Sequence, residues 1–310
     1  MRRSVRRPPR WFSIAGCTLV LVVAAGLVLS TAHAQVASPS GQNIAPVYEG
    51  WEQNSDGSFN LVFGYFNRNW VEEIDLPVGP NNTIEPGGPD QGQPTHFLPR
   101  RNRFLFRIRV PKDFGTKELV WTLTSHGKTE RAYATLKTDY FIDDIVIQNN
   151  NGAGGAGGGA PGTLDNKAPT VKVEGESIRR ATVGEQVSLI AVAHDDGMPP
   201  PKPLPLLNEA QRRSRGTPNT ATGLRFSWFV YRGAGKVAFD PPQIAVWEDY
   251  RDGKNSPWSA GWGAPPVPAD GKWAVRAIFS EPGTYVLRAL AHDGGLGAFE
   301  DITVVVSPGR

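Results

Sequence analysis

Alternation of apolar and polar residues with a period of two dominates the chain. In "NRFLFRIRV", residues 102–110, apolar residues alternate with arginines, which predicts a strand with one apolar and one charged face. The apolar members are Phe104, Phe106, Ile108 and Val110. "GSFNLVFGYF", "KELVWTLTS" and "RAYATL" predict further strands, and "NSDGS" and "SHGKT" predict hairpin turns. Residues 44–148 are therefore predicted to form a β-sandwich domain, with no strong helical period.

The second half of the chain repeats this pattern. The stretches that predict strands there are "TVKVEG", "EQVSLIAVAHD", "LRFSWFVYRG", "KVAFD", "KWAVRAIFS", "TYVLRALAHD" and "EDITVVVS". About seven short alternating strands with turn signals between them are what an immunoglobulin-like sandwich requires. Residues 168–308 are predicted to be such a domain, with long insertions at 198–223 and 240–270.

These residues resemble the polycystic-kidney-disease-like and cadherin-like branch of immunoglobulin-like domains. Trp228 lies in what would be the third strand, and Tyr285 follows a Pro-Gly turn at the start of the sixth. The whole chain is also similar to a family of uncharacterised exported bacterial proteins, through "YEGWEQNSDGSFNLVFGYFNRN" near the front. The first resemblance implies a fold and the second implies export, but neither implies an activity.

A glycine-rich segment separates the two predicted domains. "NNNGAGGAGGGAPG" begins at residue 149, and glycine-rich chain behaves as flexible coil. Residues 149–167 are therefore predicted to be a linker, and each domain is expected to fold alone. The fold class that follows is all-β, with two immunoglobulin-like β-sandwich domains joined by a Gly-rich linker.

The N-terminus has the features of a signal peptide. Five arginines precede an apolar run, and the small residues Ala32 and Ala34 stand before Gln35. We predict a signal peptide over residues 1–34 and an exported protein, periplasmic or extracellular. Contact with a membrane is expected only if this leader stays uncleaved.

Removal of the leader changes the charge of the protein. The net charge is +3, and the leader holds five arginines and no acidic residue, so the remainder carries −2. This argues against nucleic acid as a partner. Cys17 is the only cysteine, so the mature protein has no disulfide, thiolate metal site or cysteine nucleophile.

Two nearly identical stretches, "AHDDG" and "AHDGG", end two of the predicted strands. In the fold that the resemblance implies, these strands face each other and end at the same tip. Their alternation turns Asp195 and Asp293 inward, and His194 and His292 outward. We favour the interpretation that each aspartate accepts hydrogen bonds from the backbone of its own turn. The alternative is a calcium site, with Asp195, Asp196 and Asp293 as oxygen ligands. No other cofactor is expected.

Three further features are candidate binding surfaces. The second insertion holds four aromatic residues: Trp247, Tyr250, Trp258 and Trp262. They either bind a glycan or protein or form a small core beneath the loop. The arginines of residues 100–109 either bind an anionic polymer or form the solvated face of a strand. The polar segment 77–99 is either a functional loop or a surface excursion.

The function that follows is that of an exported, non-enzymatic binding or structural protein of the cell envelope. Loop tips of the two sandwiches would contact a protein or glycan of the envelope. The alternative is a secreted metal-assisted hydrolase with Asp and His residues at the tip of the second domain. A hydrolase needs a concave pocket where polar groups converge, whereas a binding protein presents flat aromatic or loop-tip surfaces.

Overall fold

The computed structural model describes residues 38–154, 162–201, 220–259 and 261–309, and it is built almost entirely from β-strands. The predicted signal peptide, the centre of the predicted linker and most of the first insertion lie outside the described residues. From Ser38 onward the chain forms one compact unit.

The first sandwich contains eight strands. They are β1 (Ile44–Gln53), β2 (Phe59–Asn67), β3 (Ile74–Asp75), β4 (Asn82–Glu85), β5 (His96–Phe97), β6 (Arg100–Val110), β7 (Leu119–Ser125) and β8 (Lys128–Ala134). One sheet has the order β1-β2-β6 and the other β4-β7-β8, and β3 pairs with β5. Between the sheets, Phe63 stacks on Phe106 at 5.3 Å, and Trp121 meets both rings edge-on at 6.0 and 5.1 Å. The predicted all-β sandwich is confirmed for this half.

Phe104 departs from the predicted alternation. The register of β2 and β6 shifts at this point, and Phe104 has a positive φ of 49°. Residues 103–105 of β6 lie opposite Gly64 alone, so the bulge adds two residues to the strand, and the faces on its two sides stay the same. Phe104 consequently leaves the core of Phe106 and packs on the outer side of the sheet with Ile142 and Ile147. The prediction that Phe104 and Phe106 share one face was therefore wrong.

The polar segment 77–99 contributes two strands to the sandwich instead of remaining a loop. β4 and β5 lie within it; β4 pairs with β7, and β5 pairs with β3. The Asn82 side chain is fully buried, donates hydrogen bonds to the carbonyls of Leu76 and Pro94, and accepts one from Trp121. A polar residue can be buried in a core without a large energetic cost when, as here, each of its polar groups forms a hydrogen bond.

The second sandwich also contains eight strands. They are β9 (Thr170–Val173), β10 (Ile178–Thr182), β11 (Gln186–His194), β12 (Arg225–Arg232), β13 (Val237–Asp240), β14 (Lys272–Phe279), β15 (Gly283–His292) and β16 (Gly297–Ser307). The sheets have the orders β10-β16-β15-β12 and β13-β14-β11-β9. Trp228 is 1% exposed between the sheets, and the buried Tyr285 donates its hydroxyl to the Glu281 carbonyl at 2.9 Å. The predicted immunoglobulin-like sandwich is confirmed, including β11 and β15 in opposite sheets.

A short helix, Asp144–Asn151, precedes the glycine-rich segment where no helix was expected. The Asp143 side chain caps its N-terminus by accepting a hydrogen bond from the Val146 backbone, and Gly152 ends it with a positive φ of 93°. A 3-10 turn, Thr138–Tyr140, comes just before it. No helix in the described ranges is both long and apolar enough to cross a membrane.

The two sandwiches pack directly against each other. Phe229 and Tyr231 of β12 are buried in the same cluster as the core of the first sandwich. Arg232 forms an ion pair with Asp90 at 2.7 Å, and the Arg288 guanidinium donates to the Leu105 carbonyl. The domain boundaries stay a prediction. A shared apolar interface, however, is not what we expect of domains that move freely on a flexible linker.

Candidate functional site

Asp195 and Asp293 directly follow β11 and β15 at the tip of the second sandwich. Asp293 is fully buried and Asp195 is half-buried. Burial, followed by smaller effects that include the Asp195 charge, raises the pKa of Asp293 to about 6. Burial likewise raises the pKa of Asp195. The two carboxyl groups are therefore close enough to interact.

Each aspartate also accepts hydrogen bonds from its own turn. Asp293 Oδ1 accepts from the backbone N–H groups of Gly295 at 2.5 Å and Leu296 at 2.8 Å. Asp195 Oδ2 accepts from the Gly197 N–H at 3.0 Å. These are the hydrogen bonds that the turn-capping interpretation requires.

Asp196 is directed away from this pair, whereas Asn166 joins it. Asp196 is exposed, and its two carboxylate oxygens accept from the backbones of Met198 and Lys167. Asn166 is 6% exposed, donates to Gln148 Oε1 at 2.8 Å, and lowers the pKa of Asp293 through a side-chain hydrogen bond. Asn166 was not among the predicted site residues, because it belongs to the segment predicted as linker.

Three buried oxygens at this tip lack a hydrogen-bond partner among the described residues: Asp195 Oδ1, Asp293 Oδ2 and Asn166 Oδ1. Buried polar atoms without partners are uncommon and call for an explanation. Two carboxylates and an amide form an all-oxygen donor set, which suits calcium better than a transition metal. Across the described ranges no three His, Cys, Asp or Glu side chains form a group that could hold a metal. The Asn166 amide and backbone carbonyls would therefore have to complete a calcium site.

The two histidines do not converge on this tip. His194 is exposed, whereas His292 faces the first sandwich. His292 Nδ1 accepts from the Gly294 N–H at 2.9 Å and lies 3.3 Å from Arg225 Nη2. Burial, and secondly the charge of Arg225, hold the pKa of His292 well below its usual range. The ring is neutral, and because Nδ1 accepts hydrogen bonds, its proton lies on Nε2.

The aromatic residues of the second insertion pack inward. Trp258 is buried, and the other three, Trp247, Tyr250 and Trp262, are half-buried. Trp247 lies against the core of the first sandwich, and Trp262 Nε1 donates to Asn255 Oδ1 at 2.9 Å. Their predicted role in binding stays a prediction.

Exposed aromatic rings are found instead at one edge of the first sandwich. Tyr140 and Phe141 are 46% and 47% exposed. The Phe141 ring meets Trp51 at 5.0 Å, and the Tyr140 ring meets Tyr48 at 5.3 Å. We call Trp51, Tyr140 and Phe141 the aromatic edge. No signal in the sequence analysis singled out these residues.

Most of the arginines on β6 are paired with carboxylates. The pairs are Arg101 with Glu49, Arg103 with Glu248, Arg107 with Glu52 and Arg109 with Asp56. The Arg100 guanidinium lies 4.1 Å from the centre of the Trp70 ring. This arrangement agrees with the solvated face of a strand better than with a binding site for an anionic polymer.

No protein-family model matches the chain, and no curated protein matches it. Among solved structures, domains 1–6 of the surface layer protein SbsC are 10% identical with a TM-score of 0.25, and the match covers 87% of this chain and 28% of that one. The D0-D1 domain of intimin is 9% identical with a TM-score of 0.22, over 84% of this chain and 97% of that one. Titin domains I67–I69 are 8% identical with a TM-score of 0.22, and the match covers 86% of this chain and 65% of that one. TM-scores this low carry no argument, so the assignment of the fold depends on the strand order described above.

Proposed function

We propose that the protein is an exported, non-enzymatic binding protein of the cell envelope, located in the periplasm or outside the cell. Its partner is a protein or glycan of the envelope. The second sandwich belongs to the cadherin-like branch of immunoglobulin-like domains. The aromatic edge is the observation that carries this proposal. Exposed rings contribute large contact area at small entropic cost, and they stack on sugar rings or anchor a protein partner.

The packing of the two sandwiches supports a binding role. Arg288 is 3% exposed, pairs with Asp301 at 2.7 Å and lies 3.8 Å from the centre of the Tyr231 ring. Contacts of this kind hold the two sandwiches in one arrangement, so that little conformational entropy is lost when a partner binds.

We further propose that calcium binds at the tip of the second sandwich. Asp195, Asp293 and Asn166 would hold the ion through the three oxygens that lack partners. The ion would neutralise the repulsion between the two carboxylates and tie residues 162–166 to the sandwich. Its part in the function is structural.

Co-sedimentation of the mature protein with envelope fractions tests the binding role. Two fractions separate the partner classes: cell-wall glycan stripped of protein, and membranes that retain their proteins. We expect the wild type to sediment with one fraction, and the double substitution Tyr140→Ser and Phe141→Ser to weaken binding about tenfold or more.

Tyr133→Ser is the matched control, because Tyr133 is 54% exposed on β8 and does not belong to the aromatic edge. This control should bind as the wild type does. Equal binding by the double variant and the wild type would remove the aromatic edge from the proposal. Failure of the wild type to bind either fraction would contradict the envelope-binding role as a whole.

A further inference from the structure

A cleft of about 190 Å³ lies between the two sandwiches. β6, β12, β15 and the second insertion contribute to its walls. Much of the lining is apolar: Leu105, Phe229, Val246, Leu290 and Phe299. An engineered apolar cavity of about 150 Å³ binds benzene, so this cleft has room for a molecule with one ring.

Arg225 brings a charge to this cleft without a carboxylate partner. Its side chain is 6% exposed, donates to the Thr220 carbonyl at 3.0 Å, and lies 3.3 Å from His292 Nδ1. Among the described residues it takes part in no ion pair, and the Asp293 charge acts on it only from beyond contact distance. Buried arginines are normally paired, because an isolated buried charge is costly.

The other arginines of the cleft differ from Arg225 in this respect. Each has a carboxylate partner: Arg101 with Glu49, Arg103 with Glu248, Arg107 with Glu52 and Arg288 with Asp301. Asp144 is the one carboxyl group among the described lining residues, and burial, followed by the charges of Glu52 and Asp143, raises its pKa, which favours its neutral form. Among the described arginines of the cleft, Arg225 is therefore the one without a carboxylate partner.

His292 adds a second hydrogen-bond donor beside Arg225. Its Nδ1 accepts from the Gly294 N–H, so the N–H of the ring is at Nε2, and the ring lines the cleft. A guanidinium and an imidazole N–H donor are together suited to the two oxygens of one carboxylate. A doubly charged phosphate would need more donors than this pair supplies.

We propose that the cleft binds a small organic carboxylate, with its charged group on Arg225 and His292 and its apolar body against Phe229 and Leu290. Binding would satisfy the buried guanidinium with the anion that the protein itself does not supply. This site is separate from the aromatic edge and from the calcium site, and the proposal does not depend on either.

Calorimetric titration of the mature protein tests this with benzoate, hexanoate, benzamide and inorganic phosphate. Benzamide has nearly the shape of benzoate but no charge, so the ratio of the two affinities measures the contribution of the anion. We expect the affinity for benzoate to be at least about tenfold higher than that for benzamide, because hydrogen bonds to a charged group contribute more binding free energy than hydrogen bonds to a neutral one. We expect Arg225→Gln to abolish this preference and Arg109→Gln, on the exposed outer part of β6, to preserve it.

Several outcomes would overturn the proposal. These are equal binding of benzoate and benzamide, an unchanged preference in Arg225→Gln, tighter binding of phosphate than of benzoate, and no binding of benzoate or hexanoate up to about 10 mM. If Arg225→Gln does not fold, Ala245→Leu decides the question, because it narrows the cleft and leaves Arg225 in place. Loss of benzoate binding in that variant supports the proposal, and full retention contradicts it.

Discussion

The stretches "AHDDG" and "AHDGG" occupy equivalent positions after β11 and β15, yet their surroundings differ. After β11, His194 and Asp196 are exposed and Asp195 is half-buried. After β15, Asp293 and the two glycines that follow it are buried. Similar sequences thus form similar turns, and within the described part of the chain only the turn after β15 is covered by other segments.

The space around the glycines of each turn accounts for this difference. A Cβ atom at Gly294 would overlap the Thr220 carbonyl oxygen, and one at Gly295 would lie 2.9 Å from the Gln148 side chain. Around Gly197 nothing lies within 4 Å. The glycines of "AHDGG" therefore allow other segments to pack against the turn, whereas "AHDDG" tolerates an aspartate because its turn faces solvent.

Substitution of one glycine of positive φ in each turn gives the largest expected effect. Gly294→Ala should lower the free energy of unfolding by about 4 kcal/mol or more, because a positive φ of 107° and the overlap with Thr220 act together. Gly197→Ala, at a φ of 80° in open space, should cost about 1–2 kcal/mol. Chemical denaturation of both variants measures the difference. Equal losses would show that the turn after β15 is not covered.

Two arginines extend the comparison from the turns to the sheets. Arg288 on β15 faces the first sandwich and pairs with Asp301, whereas the side chain of Arg276 on β14 is 55% exposed and pairs with Asp240. Arg288→Ala should cost about 3 kcal/mol, since it also removes the contact with Leu105. Arg276→Ala should cost less than about 1 kcal/mol. A small loss for Arg288→Ala would mean that the sandwiches do not depend on each other.

Much of the fold followed from alternation, because a period of two reveals which face of a strand is buried. Trp228 and Tyr285 were placed correctly for this reason. Phe104 was misplaced because a bulge takes residues 103–105 out of the alternation without any change in composition. β4 was missed because its buried Asn82 looks polar, although the fold pairs each of its polar groups.

The interface between the sandwiches could have been predicted from the sequence of β12. In "RFSWFVYR" the four consecutive residues 228–231 are all apolar or aromatic, which is typical of a strand buried on both faces. Asn166 left no such signal. Its role depends on Asp293, which is far away along the chain, so that only the folded structure brings the two together.

The two aspartates should also differ in their effect on stability as the pH changes. The pKa of Asp293 is about 6 in the folded protein against 3.8 as its ordinary value. Between these pH values the folded state holds the proton and the unfolded state does not, so stability falls as the pH rises through this window. From about pH 4 to about pH 7, Asp293 should therefore reduce the free energy of unfolding by about 2 kcal/mol.

Urea unfolding with chelator present measures this decrease. Asp293→Asn should remove it, because the amide does not titrate. Asp195→Asn should reduce it only slightly, since Asp195 is half-buried and a smaller cause of the shift. The same pH dependence in Asp293→Asn and the wild type would assign the titration to another group.

Calcium gives the smallest expected effect and the most specific test of the tip. At ten times its dissociation constant, calcium should stabilise the folded wild type by about 1.4 kcal/mol, which raises the melting temperature by a few degrees. Asp293→Asn should abolish the increase, and Asn166→Ala should weaken it, because each change removes an oxygen that has no other partner. Asp196→Asn should leave the increase unchanged, because its oxygens are engaged by the backbones of Met198 and Lys167. Loss of the response in Asp196→Asn would mean that Asp196 is a calcium ligand together with Asp195 and Asp293, as the sequence alternative predicts. Absence of any response in the wild type would mean that Asp195 and Asp293 bind no calcium and only accept hydrogen bonds from the backbones of their own turns.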